Sequence, residues 1–113
     1  MKIYGVRVWV DDMTAAKHFY GETLGLAAKW SMDAAVGYDL GVDLIVELED
    51  AGESESLVGR FVGTSILVDD IQASYEALSA KGVPFQGPPE KMSWGGTLAH
   101  FNDPAGNTLT LMA

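Results

Sequence analysis

The chain has 113 residues, no cysteine and a formal net charge of -9. Its length allows one domain with a substantial core, and the lack of cysteine excludes disulfides, thiolate metal sites and a cysteine nucleophile. The acidic charge argues against nucleic acid and anionic membranes as partners, because both are bound through Lys and Arg side chains. We expect a cytoplasmic protein, because no stretch has the pattern of a membrane span or a secretory leader.

The first half of the chain predicts the element order β-α-β-β-β. In the first strand, Val6, Val8 and Val10 alternate with other residue types, which gives the strand two different faces. Asp12 is a suitable N-cap for the helix that follows, and Gly25 ends that helix. The predicted elements are a strand over residues 3–10, a helix over 13–23 and three strands over 27–32, 35–40 and 43–48.

The second half repeats this order less regularly. A polar, acidic segment over residues 51–59 predicts a linker, so that module one covers 1–50 and module two covers 60–113. Asp70 is a suitable N-cap for the second helix. The predicted elements of module two are a strand over 60–68, a helix over 71–81, a strand beginning at 84–86 and a terminal hairpin over 97–102 and 108–112.

The two halves share a motif at the junction of strand and helix. Val10-Asp11-Asp12 precedes the first helix, and Val68-Asp69-Asp70 precedes the second, 58 positions later. Only two copies occur, whereas a solenoid needs at least about 3 stacked repeats. The repeat therefore indicates a duplicated half-domain, and two similar halves that face each other would enclose a cleft.

Three segments follow one another along the chain: Val10-Asp11-Asp12…Phe19-Tyr20…Leu24-Gly25-Leu26, Val68-Asp69-Asp70-Ile71 and Phe101-Asn102-Asp103-Pro104-Ala105-Gly106-Asn107. Together they resemble the vicinal oxygen chelate superfamily, which contains glyoxalase I, bleomycin-resistance proteins, extradiol dioxygenases and fosfomycin-resistance proteins. The resemblance implies an α+β fold of two βαβββ modules whose strands form a cupped half-barrel, with the helices outside. It also implies a homodimer in which modules of two chains share a cup. It identifies the fold and not the reaction, because this superfamily hosts many reactions.

Metal-dependent members of this superfamily hold a divalent ion with His, Gln or Glu on the first and last strand of each module. The matching positions here are Gly5 and Glu47 in module one, and Gly63 and Thr110 in module two. Glycine offers no side chain, and neutral threonine is a poor ligand for a hard divalent ion. We therefore expect no metal and no other cofactor.

Period-two alternation predicts which side chains line the cup. If Gly5 faces the cup, Arg7 and Trp9 face it too. Arg7 is suited either to clamp an anionic group of a ligand or to pair with Glu47 across the cup. Trp9 is suited either to stack on a planar ligand or to pack in the core. Glu47 is also a candidate general base, because desolvation raises the pKa of a carboxylate.

His100 is the histidine nearest the predicted cup, where titration near neutrality would suit acid–base chemistry. The alternation leaves open whether His100 or Phe101 points into the cup. Trp94, followed by two glycines, is a candidate wall of the cup. The predicted ligand-binding residues are Arg7, Trp9, Glu47, Ser65, Trp94, His100 and Thr110, and the candidate catalytic residues are Glu47 and His100.

Three functions remain open at this point. The first is a metal-free protein, similar to the bleomycin-resistance type, that binds a small organic molecule, such as an aromatic compound or an antibiotic, in a cup at a homodimer interface. The alternative is a metal-dependent lyase, isomerase or dioxygenase similar to glyoxalase I, with an atypical site. The third is a structural or regulatory dimer with a vestigial cup. We favour the first, because three of the four ligand positions lack a suitable side chain.

Overall fold

Each half of the chain forms its own four-stranded sheet. The computed structural model describes the whole chain, residues 1–113. The strands of the first sheet are β1 (Gly5–Val10), β2 (Ala28–Ser31), β3 (Ala35–Leu40) and β4 (Val42–Leu48). Those of the second are β5 (Phe61–Leu67), β6 (Glu90–Lys91), β7 (Thr97–Asn102) and β8 (Thr108–Met112). The predicted α+β fold is confirmed.

The two sheets have the same topology. Their strand orders are β1-β4-β3-β2 and β5-β8-β7-β6. In each sheet the first and last strands of the module pair in parallel, and the remaining pairs are antiparallel. The register of β1 against β4 places Trp9 opposite Glu47 and Arg7 opposite Ile45. The first strand of each module therefore lies at a sheet edge, beside the last strand.

Both helices begin at the aspartate that ends the repeated motif. The Asp12 carboxylate accepts a hydrogen bond from the backbone N–H of Ala15 at 3.0 Å. The Asp70 carboxylate accepts one from Ala73, also at 3.0 Å, at the start of α2 (Ile71–Ala80). These bonds satisfy N–H groups that have no partner inside the helix, as the sequence predicts. Neither helix has the length and apolar character needed to cross a membrane.

The first helix changes form along its length. It is α-helical over Met13–Lys17, which we call α1, and π-helical over His18–Thr23. The predicted helix over residues 13–23 is confirmed in its bounds, and the sequence pattern did not indicate the π-helical form of its second half. The π-helical part buries two consecutive aromatic side chains, Phe19 and Tyr20. A single helical segment thus places two rings in the core at adjacent positions.

The prediction of a strand beginning at residues 84–86 is wrong. Phe85 makes only an isolated bridge to Phe101, and the two-residue strand β6 forms further along. Pro84 has no N–H to donate, and Pro88 and Pro89 interrupt the segment before a ladder can form. The outer edge of the second sheet therefore consists of a loop and one short strand.

The hydrophobic core lies between the two sheets, and both modules contribute to it. The ring centroid of Phe19 lies 5.1 Å from that of Tyr20 and 6.3 Å from that of Phe101 in β7. Buried side chains of both sheets join the same cluster, among them Val8, Val46, Leu109 and Leu111. The sheets therefore face each other across the first helix. The other face of each sheet carries the side chains that take no part in this core.

Asn107, at the turn between β7 and β8, connects the second module to the first. Its fully buried side chain donates a hydrogen bond to the carbonyl of Trp9 at 2.7 Å. The same side chain accepts hydrogen bonds from the backbone N–H groups of Gly59 and Arg60, at 2.9 and 3.2 Å. One amide therefore fixes the end of β1 and the end of the linker.

Asp103 completes this joint. Its side chain is buried, and it accepts the O–H of Tyr20 at 2.7 Å and the side-chain N–H of Asn107 at 3.0 Å. Its second oxygen accepts the backbone N–H groups of Ala105 and Asn107. A buried carboxylate is stable only when such partners satisfy it. The motif of residues 101–107 therefore joins the two modules.

Candidate functional site

The outward face of the first sheet carries all three predicted site residues of module one. The alternation along β1 places its valines in the core, so that Arg7 and Trp9 project from the opposite face. We call this face the first half-cup. Its side chains come from β1, β2 and β4, and they are Arg7, Trp9, Trp30, Asp43, Ile45 and Glu47.

Arg7 and Glu47 form an ion pair in the first half-cup. The Nε–H of Arg7 donates to Oε1 of Glu47 at 2.6 Å, and Nη2 donates to Oε2 at 3.1 Å. The guanidinium carbon also lies 5.0 Å from the ring centroid of Trp9, within the range of a cation–π contact. Hydrogen bonding and the charge of Glu47 raise the pKa of Arg7 above its usual value. Of the two arrangements that the sequence left open, the structure has the internal pair.

A second indole lies on the same face. Val36 and Tyr38 of β3 are in the core, so Gly37 between them faces the first half-cup. A Cβ added to Gly37 would lie 2.4 Å from the ring of Trp30, which shows that the indole rests directly on this glycine. The Nε1 atom of Trp30 is buried without a hydrogen-bond partner in the chain. Glycine at this position therefore seats an aromatic wall of the half-cup.

The outward face of the second sheet forms the second half-cup. Along β5, exposed Phe61, Ser65 and Leu67 alternate with half-buried residues that face the core. The neighbouring strands add His100, Thr110 and Met112 to this face. A depression of about 240 Å³ opens beside His100, under the loop over residues 86–92. This half-cup carries apolar and hydroxyl groups and the imidazole of His100, and Glu90 of β6 adds a carboxylate at its outer edge.

The orientation of β7 settles which side chain faces outward. Phe101 is fully buried in the core, so the neighbouring His100 lies on the second half-cup. Nδ1 of His100 lies 2.7 Å from Oγ1 of Thr110, a hydrogen-bond distance. The ring of Phe61 packs edge-on to the imidazole, with centroids 5.8 Å apart. The imidazole is therefore held at one nitrogen, which leaves Nε2 directed away from Thr110.

The predicted site residues do not meet within one chain. Arg7, Trp9 and Glu47 lie together in the first half-cup, whereas Ser65, His100 and Thr110 lie in the second, and no cavity is lined by members of both groups. Trp94 belongs to neither cluster. It is 65% exposed, and its ring rests against Gly96, where a Cβ would lie 2.0 Å from it. A single chain therefore carries the predicted site residues on two separate open faces.

The two glycines at metal-ligand positions have structural reasons to be glycine. A Cβ added to Gly5 would lie 2.7 Å from the backbone oxygen of Asp43, so the close approach of β1 and β4 excludes any side chain there. Gly63 has a φ of +79°, in the region that other residues rarely adopt. A ligating side chain could not replace either glycine without a shift of the backbone.

The two oxygen-bearing side chains at the remaining positions already have partners. Glu47 is bound by Arg7 through both oxygens, and Thr110 is bound by His100. No three His, Asp or Glu side chains converge anywhere in the chain in a way that would hold a metal ion. The residues at these four positions do not fit the divalent ion of the metal-dependent members of the superfamily.

Two features of the site were missed by sequence reasoning. Phe61 belongs to the second half-cup, and extending the alternation of β5 backward from Ser65 would have found it. Trp30 was not assigned to the cup, because the facing of β2 depends on its irregular pairing with β3 between Ala28 and Trp30. Only the register of the folded sheet reveals that Trp30 covers Gly37.

Comparison with known proteins gives a consistent result. The family model described as Glyoxalase/Bleomycin resistance protein/Dioxygenase superfamily matches residues 2–111. The uncharacterized protein YraH of Bacillus subtilis is 31% identical, over 98% of this chain and 97% of its own length. A superfamily member from Sphaerobacter thermophilus has a similar crystal structure, with a TM-score of 0.83, 28% identity and coverage of 99% and 96% of the two chains. The lactoylglutathione lyase of Agrobacterium tumefaciens shares only the fold, with a TM-score of 0.77, 19% identity and coverage of 98% and 92%.

Proposed function

Because the chain belongs to the Glyoxalase/Bleomycin resistance protein/Dioxygenase superfamily, we propose that it binds a small organic molecule without a metal, in a cup at a homodimer interface. The observation that carries this proposal is the separation of the two half-cups. Each presents ligand-type side chains to the outside, and neither encloses a volume alone. The proposed dimer joins the first half-cup of one protomer to the second half-cup of the other, which completes two equivalent cups.

Exposed apolar side chains on β5 support this assembly. Phe61 and Leu67 are 63% and 74% exposed, on an edge strand of the second sheet. Large apolar side chains grouped on one outward face are typical of an interaction surface. An edge strand also offers unpaired backbone groups, which are commonly covered by another element or chain. A second copy of this chain would cover both features.

The metal-free part of the proposal rests on the occupied oxygens and the two glycines described above. To test for a metal, purified protein is titrated with Mn, Fe, Ni and Zn salts and binding is measured by isothermal calorimetry. Glu47→Gln is the matched variant. We expect no stoichiometric uptake by either protein. A stoichiometric ion that is bound by the wild type and lost in Glu47→Gln would overturn this part of the proposal.

The dimer is tested separately, by light scattering coupled to size-exclusion chromatography. We expect twice the mass of one chain for the wild type, and a shift toward the monomer in Leu67→Asp, because a charge on the covered face must be desolvated. Trp94→Asp is the matched control, since Trp94 is also a large exposed apolar residue but belongs to neither half-cup. A monomeric wild-type protein contradicts the proposal.

The alternative function is an enzyme similar to glyoxalase I. Its supporting observation is His100, which lies on the second half-cup with Nδ1 held by Thr110 and so is oriented for proton transfer at Nε2. Glu47 favours this alternative less, because Arg7 neutralises it. Turnover of a catechol, or of the hemithioacetal that a thiol forms with an α-ketoaldehyde, would favour the enzyme over the binding protein if that turnover is lost in His100→Gln.

A further inference from the structure

Arg7 is fixed in the first half-cup and still has hydrogen bonds to offer. Its guanidinium group carries five N–H donors. Glu47 takes one from Nε and one from Nη2, at 2.6 and 3.1 Å, and the indole of Trp9 supports the group from 5.0 Å. The other three donors, on Nη1 and Nη2, have no partner in the chain. They form the second edge of the guanidinium, whose spacing matches a carboxylate bidentately.

Exposure decides which member of the pair meets a ligand. The Arg7 side chain is 57% exposed and the Glu47 side chain 21%. The cation therefore faces the open half-cup, and the carboxylate lies beneath it as its support. The other cation of this face, Lys29, is paired with Asp43 at 3.0 Å. Lys29 also keeps two N–H donors, but its ammonium group is a point charge, so Arg7 supplies the planar two-donor edge of the first half-cup.

The second half-cup suits the apolar part of a ligand whose carboxylate binds Arg7. Its exposed side chains are the ring of Phe61, the isobutyl group of Leu67 and the hydroxyl of Ser65. The carboxylate of this face, Glu90, lies on β6, three strand spacings of about 4.8 Å each from β5. At an ionic strength near 0.15 M, charges further than about 8 Å away are largely screened. Local donors therefore decide the binding more than the net charge of -9 does.

On the basis of the two-chain cup of the proposed function, we propose that the ligand is a planar aromatic carboxylate. Its carboxylate accepts two hydrogen bonds from the free Nη1–Nη2 edge of Arg7. Its ring lies between that guanidinium and the apolar side chains of the second half-cup. Glu47 acts as a positioning residue, because it fixes the guanidinium plane and does not touch the ligand.

The test compares three probes of the same shape by isothermal calorimetry on the dimer: 1-naphthoate, 1-naphthalenemethanol and 1-naphthylmethylammonium. We expect 1-naphthoate to bind about tenfold or more tightly than the alcohol, since its bonds to Arg7 are charge-assisted. The ammonium compound should bind no better than the alcohol. Arg7→Lys should lose most of the preference for 1-naphthoate, because lysine keeps the charge but not the planar fork.

Removing Arg7 alone leaves Glu47 unpaired, and that carboxylate would itself repel 1-naphthoate. The double variant Arg7→Gln with Glu47→Gln removes this complication. We expect it to bind 1-naphthoate about tenfold more weakly than the wild type does, and the alcohol within about twofold. Urea unfolding and light scattering on the same samples report whether fold and dimer are retained.

The outcomes separate this inference from the proposed function. Equal binding of all three probes, or an unchanged affinity of the double variant for 1-naphthoate, overturns the inference and leaves the binding cup in place. Tighter binding of the ammonium compound overturns it as well, in favour of a cationic ligand. If none of the three probes binds the wild-type dimer, the inference fails, and the light-scattering measurement of the dimer decides separately whether the proposed cup can form.

Discussion

Replacing Tyr20 by phenylalanine tests the joint between the modules. The hydroxyl of Tyr20 donates to Oδ2 of Asp103 at 2.7 Å, and the Tyr20 side chain is 0% exposed. A hydrogen bond to a charged group contributes about 1.5–3 kcal/mol. Asp103 Oδ2 keeps its second donor, the Asn107 amide at 3.0 Å, so the carboxylate is not left without a partner. We therefore expect Tyr20→Phe to lower the free energy of unfolding by about 2 kcal/mol.

The assay is urea unfolding followed by circular dichroism, at one protein concentration because the proposed dimer would make stability depend on concentration. For a chain of this length, a loss of about 2 kcal/mol lowers the melting temperature by about 8 °C. Tyr38→Phe is the matched control. Tyr38 lies in the same core, with its ring 5.9 Å from that of Tyr20, but its hydroxyl makes no hydrogen bond within the chain. We expect the control to change the free energy of unfolding by less than about 0.5 kcal/mol.

Equal effects of the two substitutions would refute this reasoning. They would mean that the hydrogen bond from Tyr20 to Asp103 in the folded protein is no more stable than the one from Tyr20 to water in the unfolded chain. A large loss in Tyr38→Phe alone would point to ring packing, and not the hydrogen bond, as the source of stability at this joint.

Three further predictions concern pH, packing and capping. Burial, followed by the charge of Asp103, raises the pKa of Tyr20. The folded protein therefore keeps a proton that the unfolded chain releases near pH 10. The free energy of unfolding consequently falls above pH 10, by up to about 1.4 kcal/mol per pH unit. In urea unfolding experiments between pH 9 and 11, the free energy of unfolding should decline less steeply in Tyr20→Phe than in the wild type. In Gly37→Ala the new Cβ would lie 2.4 Å from the indole of Trp30, so the ring must move. We expect the free energy of unfolding to fall by about 1–3 kcal/mol and the tryptophan fluorescence to shift to the red. Gly87→Ala is the control and should show neither effect, because nothing lies near a Cβ at that position. Asp12→Ala should cost about 1 kcal/mol by loss of the helix cap, measured by the same unfolding assay, and an unchanged midpoint would contradict that role.

Local periodicity predicted the architecture because each strand alternates between core and outside. The valines of β1 are in the core, so Arg7 and Trp9 project outward from the same face. The N-caps at Asp12 and Asp70 were also predictable, since capping depends on neighbouring backbone groups only. These parts of the fold follow from interactions within a few residues along the chain.

Features set by tertiary contacts could not be predicted in the same way. Leu98, Ala99, His100 and Phe101 show no clear alternation, so the facing of β7 depends on which side chains the core accepts. The pairing of Arg7 with Glu47 depends on the parallel register of strands forty residues apart in the chain. The π-helical form of residues 18–23 and the separation of the two half-cups depend on how the modules pack. Sequence pattern carries no direct signal for these long-range choices.

The most direct test of the account is whether two chains share one cup. Ala35→Trp fills the first half-cup opposite Glu47, and Ser65→Trp fills the second, both at outward-facing strand positions. Each variant alone should bind none of the 1-naphthyl compound that the wild type binds. Equal amounts of the two variants are unfolded together and refolded, and native mass spectrometry counts the mixed dimers. Shared cups predict that about one cup in four regains binding, because each mixed dimer contains one unblocked cup. Mixed dimers with no recovered binding, or no mixed dimers at all, would contradict the account.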